Sequence, residues 1–261
     1  MTIEATKLFT RTFFAVNEGF MSILNFREVG RLGLRSGMPL IWEREVAGAT
    51  LFLENPENDH LFIDKGKALA ALGGISGFAA RNTKNKTDAF QTSIDGASLV
   101  FAHSLLDSSA LDYCKVIALI DPREFLPKIG AQSVAVRDVM ARHSDDILTT
   151  TVKAFLEKLE KESLIRKIDV LNSICKPEPR SSALRDYAFD PTRLKELDSL
   201  RNNMVHKYGP TRLPNGDADI TYLLDTSNHL MGLINQRFDL RMDPAYIGTR
   251  PEPERLSTES N

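Results

Sequence analysis

Apolar residues recur at helical spacing along most of this chain. Residues 4–34 carry a dense set of them, which predicts one or two helices. Over residues 88–120 an apolar stripe predicts a long helix that ends at Asp121-Pro122. The stripe consists of Phe90, Ile94, Ala97, Phe101, Leu105, Val116 and Leu119.

The second half of the chain predicts four further helices, over residues 133–142, 144–175, 191–208 and 220–234. Ser144 and Asp190 have the side chains of helix N-caps, and Pro191 suits the first turn of a helix. Gly209-Pro210 ends the helix that Asp190 begins. The pattern therefore predicts a mainly α protein.

Residues 36–66 depart from this helical pattern. Short apolar runs at 39–46, 49–53 and 60–63 are separated by Gly48 and by Asn55-Pro56. Runs of this length between turn residues are typical of strands in a small hairpin or edge sheet. We therefore expect the first part of the chain to be helical, with or without a small β-hairpin.

Three regions follow from these patterns. The polar, basic run at 81–87 predicts a boundary near residue 85, so that residues 1–85 form an amino-terminal extension. Residues 86–242 then form a bundle of four main helices. Residues 243–261 are rich in Pro, Glu and Ser and have little to bury, which predicts a disordered tail.

Composition narrows the classes of function. At 261 residues and 42% hydrophobic, the chain can bury a substantial core. Its net charge of −2 gives no global attraction for a polyanion, so any nucleic-acid contact must come from a local patch. Cys114 and Cys175 lack metal-ligand spacing, which predicts reduced, packed thiols and no structural zinc. Without a secretion signal or a long apolar run, we expect a cytoplasmic protein with no membrane segment.

One glycine pattern, Gly73-Gly74-x-x-Gly77, has two interpretations. Glycine-rich loops can cradle phosphate, which would fit a nucleotide-binding enzyme. Neither the Walker pattern nor a complete GxGxxG is present, however. Small residues that permit close helix packing or a loop are the favoured interpretation.

The most informative segment runs from Arg201 through Asn202 and His206 to Tyr208, at the end of a predicted helix. Arg201 falls on the edge of the apolar stripe of that helix. A charge in such a position is unfavourable unless it is paired or has a function. Asn202 and His206 are four residues apart, so the amide can orient the imidazole. Arg201 and His206 project about 140° apart. A single cleft therefore forms most readily when two copies of the helix meet across a dimer axis.

These residue types suit the cleavage of RNA. Attack of a ribose 2′-hydroxyl on the adjacent phosphate needs a group that exchanges protons near neutral pH, which His206 supplies. It also needs a fixed cation for the charge that develops on the phosphoryl oxygens, which Arg201 supplies. With His206 and Arg201 in these roles, the cleavage of RNA requires no metal or other cofactor.

The segment Arg201-Asn202-x-x-x-His206-x-Tyr208 resembles the Arg-x4-His motif of HEPN domains, in the form found in toxins of toxin–antitoxin pairs. The resemblance implies a four-helix bundle in which this motif leads into the last helix. It also implies a homodimeric, metal-independent endoribonuclease that leaves a 2′,3′-cyclic phosphate and a 5′-hydroxyl. A hydrolase role in growth control or phage defence, with an antitoxin partner, follows from the family alone.

Supporting residues are predicted around this motif. Asp107, four residues after His103, is a candidate acidic partner for Arg201, although a solvated helix face is the favoured interpretation of this pair. Lys207 and Tyr208 are candidates for RNA contact. Basic residues near the motif are diluted by acids and form only a weak patch; they are Arg185, Arg193, Lys195, Lys207 and Arg212.

Two alternatives remain open. In the first, Arg201 pairs with an acid on a neighbouring helix, and His206 only favours the dipole at a helix C-terminus. In the second, the chain is a non-catalytic HEPN-like module that binds a nucleotide or a protein, and residues 1–85 form the partner surface.

Overall fold

The structure, a computed structural model, describes residues 3–129, 144–176, 189–207, 212–243 and 245. Every regular element among these residues is a helix, which confirms the mainly α class. The α-helices are α1 Ile3–Glu54, α2 Lys65–Ala71, α3 Gly74–Ile120, α4 Leu126–Ile129, α5 Ser144–Glu160, α6 Leu164–Cys175, α7 Pro191–Lys207 and α8 Asp217–Phe238. Two 3₁₀ helices cover Pro56–Leu61 and Pro122–Phe125. The helix predicted at 133–142 and nearly all of the predicted tail lie outside the described residues.

The strands considered for residues 39–63 are wrong, because α1 continues as a helix through Glu54. Pro39 lies inside this helix, where it removes a backbone hydrogen bond. Contacts beyond the local sequence stabilise this part of α1. Glu45 accepts a hydrogen bond from Lys86 of α3, and Phe52 packs edge-on against Phe62. Tertiary contacts thus override the local signal of the breaker residues.

Helix α3 passes without a break through residue 85, where a domain boundary is predicted. The described residues instead form two compact units that divide the long helices. The first unit contains the residues up to Phe20, those between Ser104 and Lys195, and those from Tyr222 onward. The second unit contains the residues between Met21 and His103 and between Glu196 and Thr221.

In the first unit, α1 and α3 run antiparallel around an apolar core. The rings of Phe9 and Tyr113 lie 6.3 Å apart, and the side chain of Leu105 packs directly over Gly19. Lys167 of α6 is buried, and its Nζ donates to both carboxylate oxygens of Asp107 at 2.7 and 2.8 Å. This ion pair satisfies a cation that would otherwise be costly to bury.

The long helix predicted over 144–175 is two helices, α5 and α6. Ser163 begins the second one as its N-cap, since its Oγ accepts a hydrogen bond from the backbone N–H of Arg166 at 3.3 Å. Lys176 ends α6 in the left-handed region with a φ of 42°. The break between α5 and α6 is therefore determined by a local capping residue, and the apolar spacing along the chain does not reveal it.

The first turn of α7 is fixed by its cap and by α8. The Oδ1 atom of Asp190 accepts hydrogen bonds from the backbone N–H groups of Thr192 and Arg193. The hydroxyl of Tyr222 donates to the backbone oxygen of Asp190 at 2.8 Å, and the guanidinium of Arg193 lies 4.4 Å from the centre of the Tyr222 ring. The predicted start of this helix at Asp190-Pro191 is confirmed.

A buried ion network joins the helices of the second unit. Arg27 of α1 is 1% exposed, and its Nε donates to Asp217 Oδ1 at 2.6 Å. Its Nη1 lies 2.9 Å from Asp95 Oδ1, an ion pair without hydrogen-bond geometry. Arg31 donates to both oxygens of Asp217. Asp95 also accepts a hydrogen bond from the backbone N–H of Leu213 at 3.3 Å, so the segment before α8 is tied to α3.

The glycines at residues 73, 74 and 77 make the turn between α2 and α3. Gly73 and Gly74 have φ values of 75° and 74°, which a side chain would strain. A Cβ at Gly77 would clash with the backbone oxygen of Leu72. Each glycine of this pattern therefore has a structural reason that involves no phosphate.

Both cysteines are free and buried, in agreement with the prediction of packed thiols. Burial raises the pKa of the Cys114 thiol and raises the pKa of Cys175 to about 12. In the part of the chain that the structure describes, no helix has the length and apolar character needed to cross a membrane.

Replacement of Asp95 tests the buried network. In Asp95→Asn, the charge of Arg27 loses one of its two carboxylate partners while remaining buried, and we expect a loss of roughly 3 kcal/mol in the free energy of unfolding. Urea unfolding, monitored by circular dichroism, measures this loss of stability. Asp88→Asn, an exposed position on the same helix, is the control and should change stability by less than about 0.5 kcal/mol. Equal effects of the two variants would contradict a stabilising network.

The pH dependence of unfolding tests the contribution of Asp217. Hydrogen bonds from Arg31 and then Arg27 lower the pKa of this carboxyl to about 2. A lowered carboxyl pKa adds stability above the pKa of the unfolded chain, and this stability is lost as the pH falls through the folded value. We therefore expect the stability difference between wild type and Asp217→Asn to be constant above about pH 4 and to shrink toward pH 2. A difference that does not change over this range would refute the assignment.

Candidate active site

The motif helix α7 is seated against α3 by apolar contacts. Leu197 of α7 is buried. Further along, the sulfur and terminal methyl of Met204 occupy the space that a Cβ would need at Gly96 of α3. Glycine at residue 96 therefore allows the two helices to approach closely. With this face buried, Arg201 and Asn202 are partly buried and His206 is exposed.

A series of polar contacts, which we call the polar chain, links Arg201 to α3 through Asn202, Asp198 and His103. Nη1 of Arg201 donates to Oδ1 of Asn202 at 2.9 Å. Nδ2 of Asn202 donates to Oδ2 of Asp198 at 3.5 Å, a long hydrogen bond. Oδ1 of Asp198 lies 2.9 Å from Nε2 of His103, a contact without hydrogen-bond geometry, and His103 is 5% exposed. The polar chain thus connects the motif to a buried histidine on the neighbouring helix.

The guanidinium of Arg201 is held at one end. Its Nη1 is oriented by Asn202, whereas its Nε is buried and has no hydrogen-bond acceptor among the described residues. A buried donor without an acceptor costs about 1–3 kcal/mol. A cation restrained in this way has little freedom to lose when it binds an anion.

His206 lies near the described end of α7 and is exposed to solvent. Asn202 was predicted to orient its imidazole, but the side-chain hydrogen bonds of Asn202 in the described part of the chain go to Asp198 and Arg201. At five residues apart, Arg201 and His206 project about 140° from each other around the helix. The motif thus presents a restrained cation on one flank and a solvent-exposed imidazole on another.

The acidic residue connected to the motif is Asp198. Asp107, predicted as the partner of Arg201, is the residue that accepts both hydrogen bonds from Lys167. The predicted solvated position of His103 is wrong, since this side chain is buried. Asp198 lies four residues before Asn202, and this helical spacing is a signal that could have revealed it.

The remaining predicted site residues provide less information. Lys207 is the last residue of α7, and Tyr208 lies outside the described residues. Lys195 and Arg212 are exposed, so they remain available for contact with a polyanion. Across the described ranges, no group of three or more His, Cys, Asp and Glu side chains is arranged to hold a metal ion.

Comparison of the chain with protein-family models, with curated proteins and with solved structures found no match.

Removal of the Asp198 charge tests the polar chain. In Asp198→Asn, the buried His103 loses its carboxylate partner, and we expect unfolding to become easier by about 1–2 kcal/mol. Urea denaturation of the variant against wild type measures this change. The control is Glu196→Gln, an exposed carboxylate on the same helix, which should leave the denaturation midpoint almost unchanged. A shift of the same size in both variants would show that the polar chain contributes nothing.

Proposed function

We propose that this protein is a metal-independent endoribonuclease of HEPN type that acts as a homodimer. The observation that carries the proposal is the arrangement on α7, where Arg201 is partly buried and restrained by Asn202 while His206 is exposed. Restraint suits a residue that binds a phosphate, and exposure suits a residue that exchanges protons with a substrate.

The order of helices supports the proposal. A long helix α3, the pair α5 and α6, the motif helix α7 and the final helix α8 follow one another in the order that the family implies. The motif lies at the end of α7, directly before the segment that leads into α8. We propose that these elements form the HEPN-like bundle, with α1 as an addition to it.

The proposed reaction needs no group besides the motif residues and the RNA. His206 accepts the proton of the ribose 2′-hydroxyl, the 2′-oxygen bonds to the adjacent phosphorus, and the bond from phosphorus to the 5′-oxygen breaks. The imidazolium formed in this step then donates its proton to the leaving 5′-oxygen. Arg201 stabilises the charge on the phosphoryl oxygens. The products are a 2′,3′-cyclic phosphate and a 5′-hydroxyl.

The other motif residues have supporting roles in this proposal. Asn202 positions the guanidinium of Arg201, through the hydrogen bond of 2.9 Å between them. Lys207 and Tyr208 contact the RNA backbone or a base. A toxin or phage-defence role, with an antitoxin as partner, is the biological setting that the resemblance to the family favours.

Incubation of the purified protein with a labelled RNA in the presence of EDTA tests the activity. We expect cleavage that leaves a 2′,3′-cyclic phosphate, and a reduction of at least about 100-fold in both Arg201→Ala and His206→Ala because each removes a transition-state contact. His60→Ala, which removes another exposed histidine, is the matched control and should cleave as wild type does. Absence of cleavage by the wild type, with or without Mg²⁺, would overturn the proposal.

Mixing the two inactive variants tests the composite site. If Arg201 and His206 of different copies act together, a refolded mixture of Arg201→Ala and His206→Ala regains cleavage, because mixed dimers contain a site with both residues intact. Activity in wild type without any recovery in the mixture would show that each chain carries a complete site, and the dimeric arrangement would be abandoned.

A further inference from the structure

The second unit contains an apolar cavity that the proposed ribonuclease activity does not use. It has a volume of about 290 Å³, is partly open, and lies among the end of α1, the segment after it, α2 and the start of α3. Its lining consists of apolar side chains, among them Ala49, Phe52, Phe62 and Ala68. A cavity without polar groups gives water few hydrogen-bond partners, so an apolar occupant gains free energy by displacing solvent from it.

Exposed apolar residues are next in the chain to residues that line the cavity. Leu51, Leu61 and Ile63 are each next in the chain to a lining residue, and each is exposed, Leu51 by 72% and Leu61 by 56%. Phe52, which lines the cavity, is itself 45% exposed. Exposed apolar side chains near a pocket are typical of protein interaction sites. An occupant that covers them must extend beyond the cavity, which favours a polypeptide segment over a small molecule.

The charges beside the cavity indicate which kind of segment fits. Residues 54–67 contain four carboxylates and two lysines, which gives a net charge of −2. Nζ of Lys65 lies 2.5 Å from Asp59, and Nζ of Lys67 lies 3.3 Å from Asp64, so both lysines are engaged. Glu54 and Glu57 have no ion pair among the described residues. The carboxylates of Glu54 and Glu57 favour a basic partner over a fatty acid or an anionic membrane.

We propose that this cavity and its acidic surroundings form a docking site for a basic amphipathic segment of a partner protein. One large apolar side chain of the segment enters the cavity, neighbouring apolar side chains cover Leu51 and Ile63, and Lys or Arg residues face Glu54 and Glu57. Helices that bind grooves in this way carry apolar anchors at intervals of three and four residues. The proposal is independent of the ribonuclease activity.

The test uses two labelled synthetic peptides of about 14 residues, with leucines and one tryptophan on one helical face and either lysines or glutamates elsewhere. Fluorescence anisotropy should show binding of the lysine peptide to the full chain and at least about tenfold weaker binding of the glutamate peptide. Ala68→Trp fills the cavity and should weaken the binding of the lysine peptide at least about tenfold. Ala71→Trp adds the same side chain on the exposed face of the same helix and should leave binding unchanged.

Charge reversal provides the second variant. The double variant with Glu54→Lys and Glu57→Lys should bind the lysine peptide more weakly than wild type does. Its binding should also depend less on salt concentration. Equal binding of both peptides, no binding of either, or an effect of Ala71→Trp equal to that of Ala68→Trp would each overturn the proposal. Binding of the wild type to phosphatidylcholine vesicles without binding to the lysine peptide would identify the surface as a lipid contact and overturn it as well.

Discussion

The burial of Arg27 constrains the whole of the second unit. A guanidinium that is 1% exposed must be paired, because an unpaired charge in the interior costs several kcal/mol. Its partners come from different parts of the chain, with Asp95 on α3 and Asp217 at the start of α8. Since Asp95 also binds the backbone of Leu213, the segment that enters α8 can take only a position compatible with all three contacts.

The motif helix depends on the same long helix. Within the second unit, α3 provides Asp95 to the buried network, Gly96 beneath Met204, and His103 beside Asp198. These contacts immobilise the part of α7 that carries Arg201 and leave His206 in solvent. A restrained cation and an accessible imidazole on one helix suit a reaction in which a phosphate is held while a proton is transferred.

The proposed catalytic residues and the proposed docking surface are separate sets of residues. The apolar cavity and the polar chain have no lining or bonding residue in common, although both belong to the second unit. The residues that line the cavity all lie between positions 49 and 78, within the predicted amino-terminal extension.

Local signals in the sequence determined the helical class and several helix ends. The end of α3 at Asp121-Pro122 and the start of α7 at Asp190-Pro191 were predicted because capping and proline act within a few residues. The expectation of strands over residues 39–53 was wrong, because α1 continues as a helix through Glu54. The sequence pattern also missed the break before α6, because helical periodicity continues across the cap at Ser163.

The sequence by itself also predicted Arg201, Asn202 and His206 as candidate site residues, since residue type and spacing within one helix are local properties. Only the tertiary structure decided which residues surround them. Asp198 meets His103 across a separation of 95 positions, and Arg27 meets Asp217 across 190. Burial and pairing between such distant positions depend on how the helices pack, and no periodicity along the chain encodes that packing.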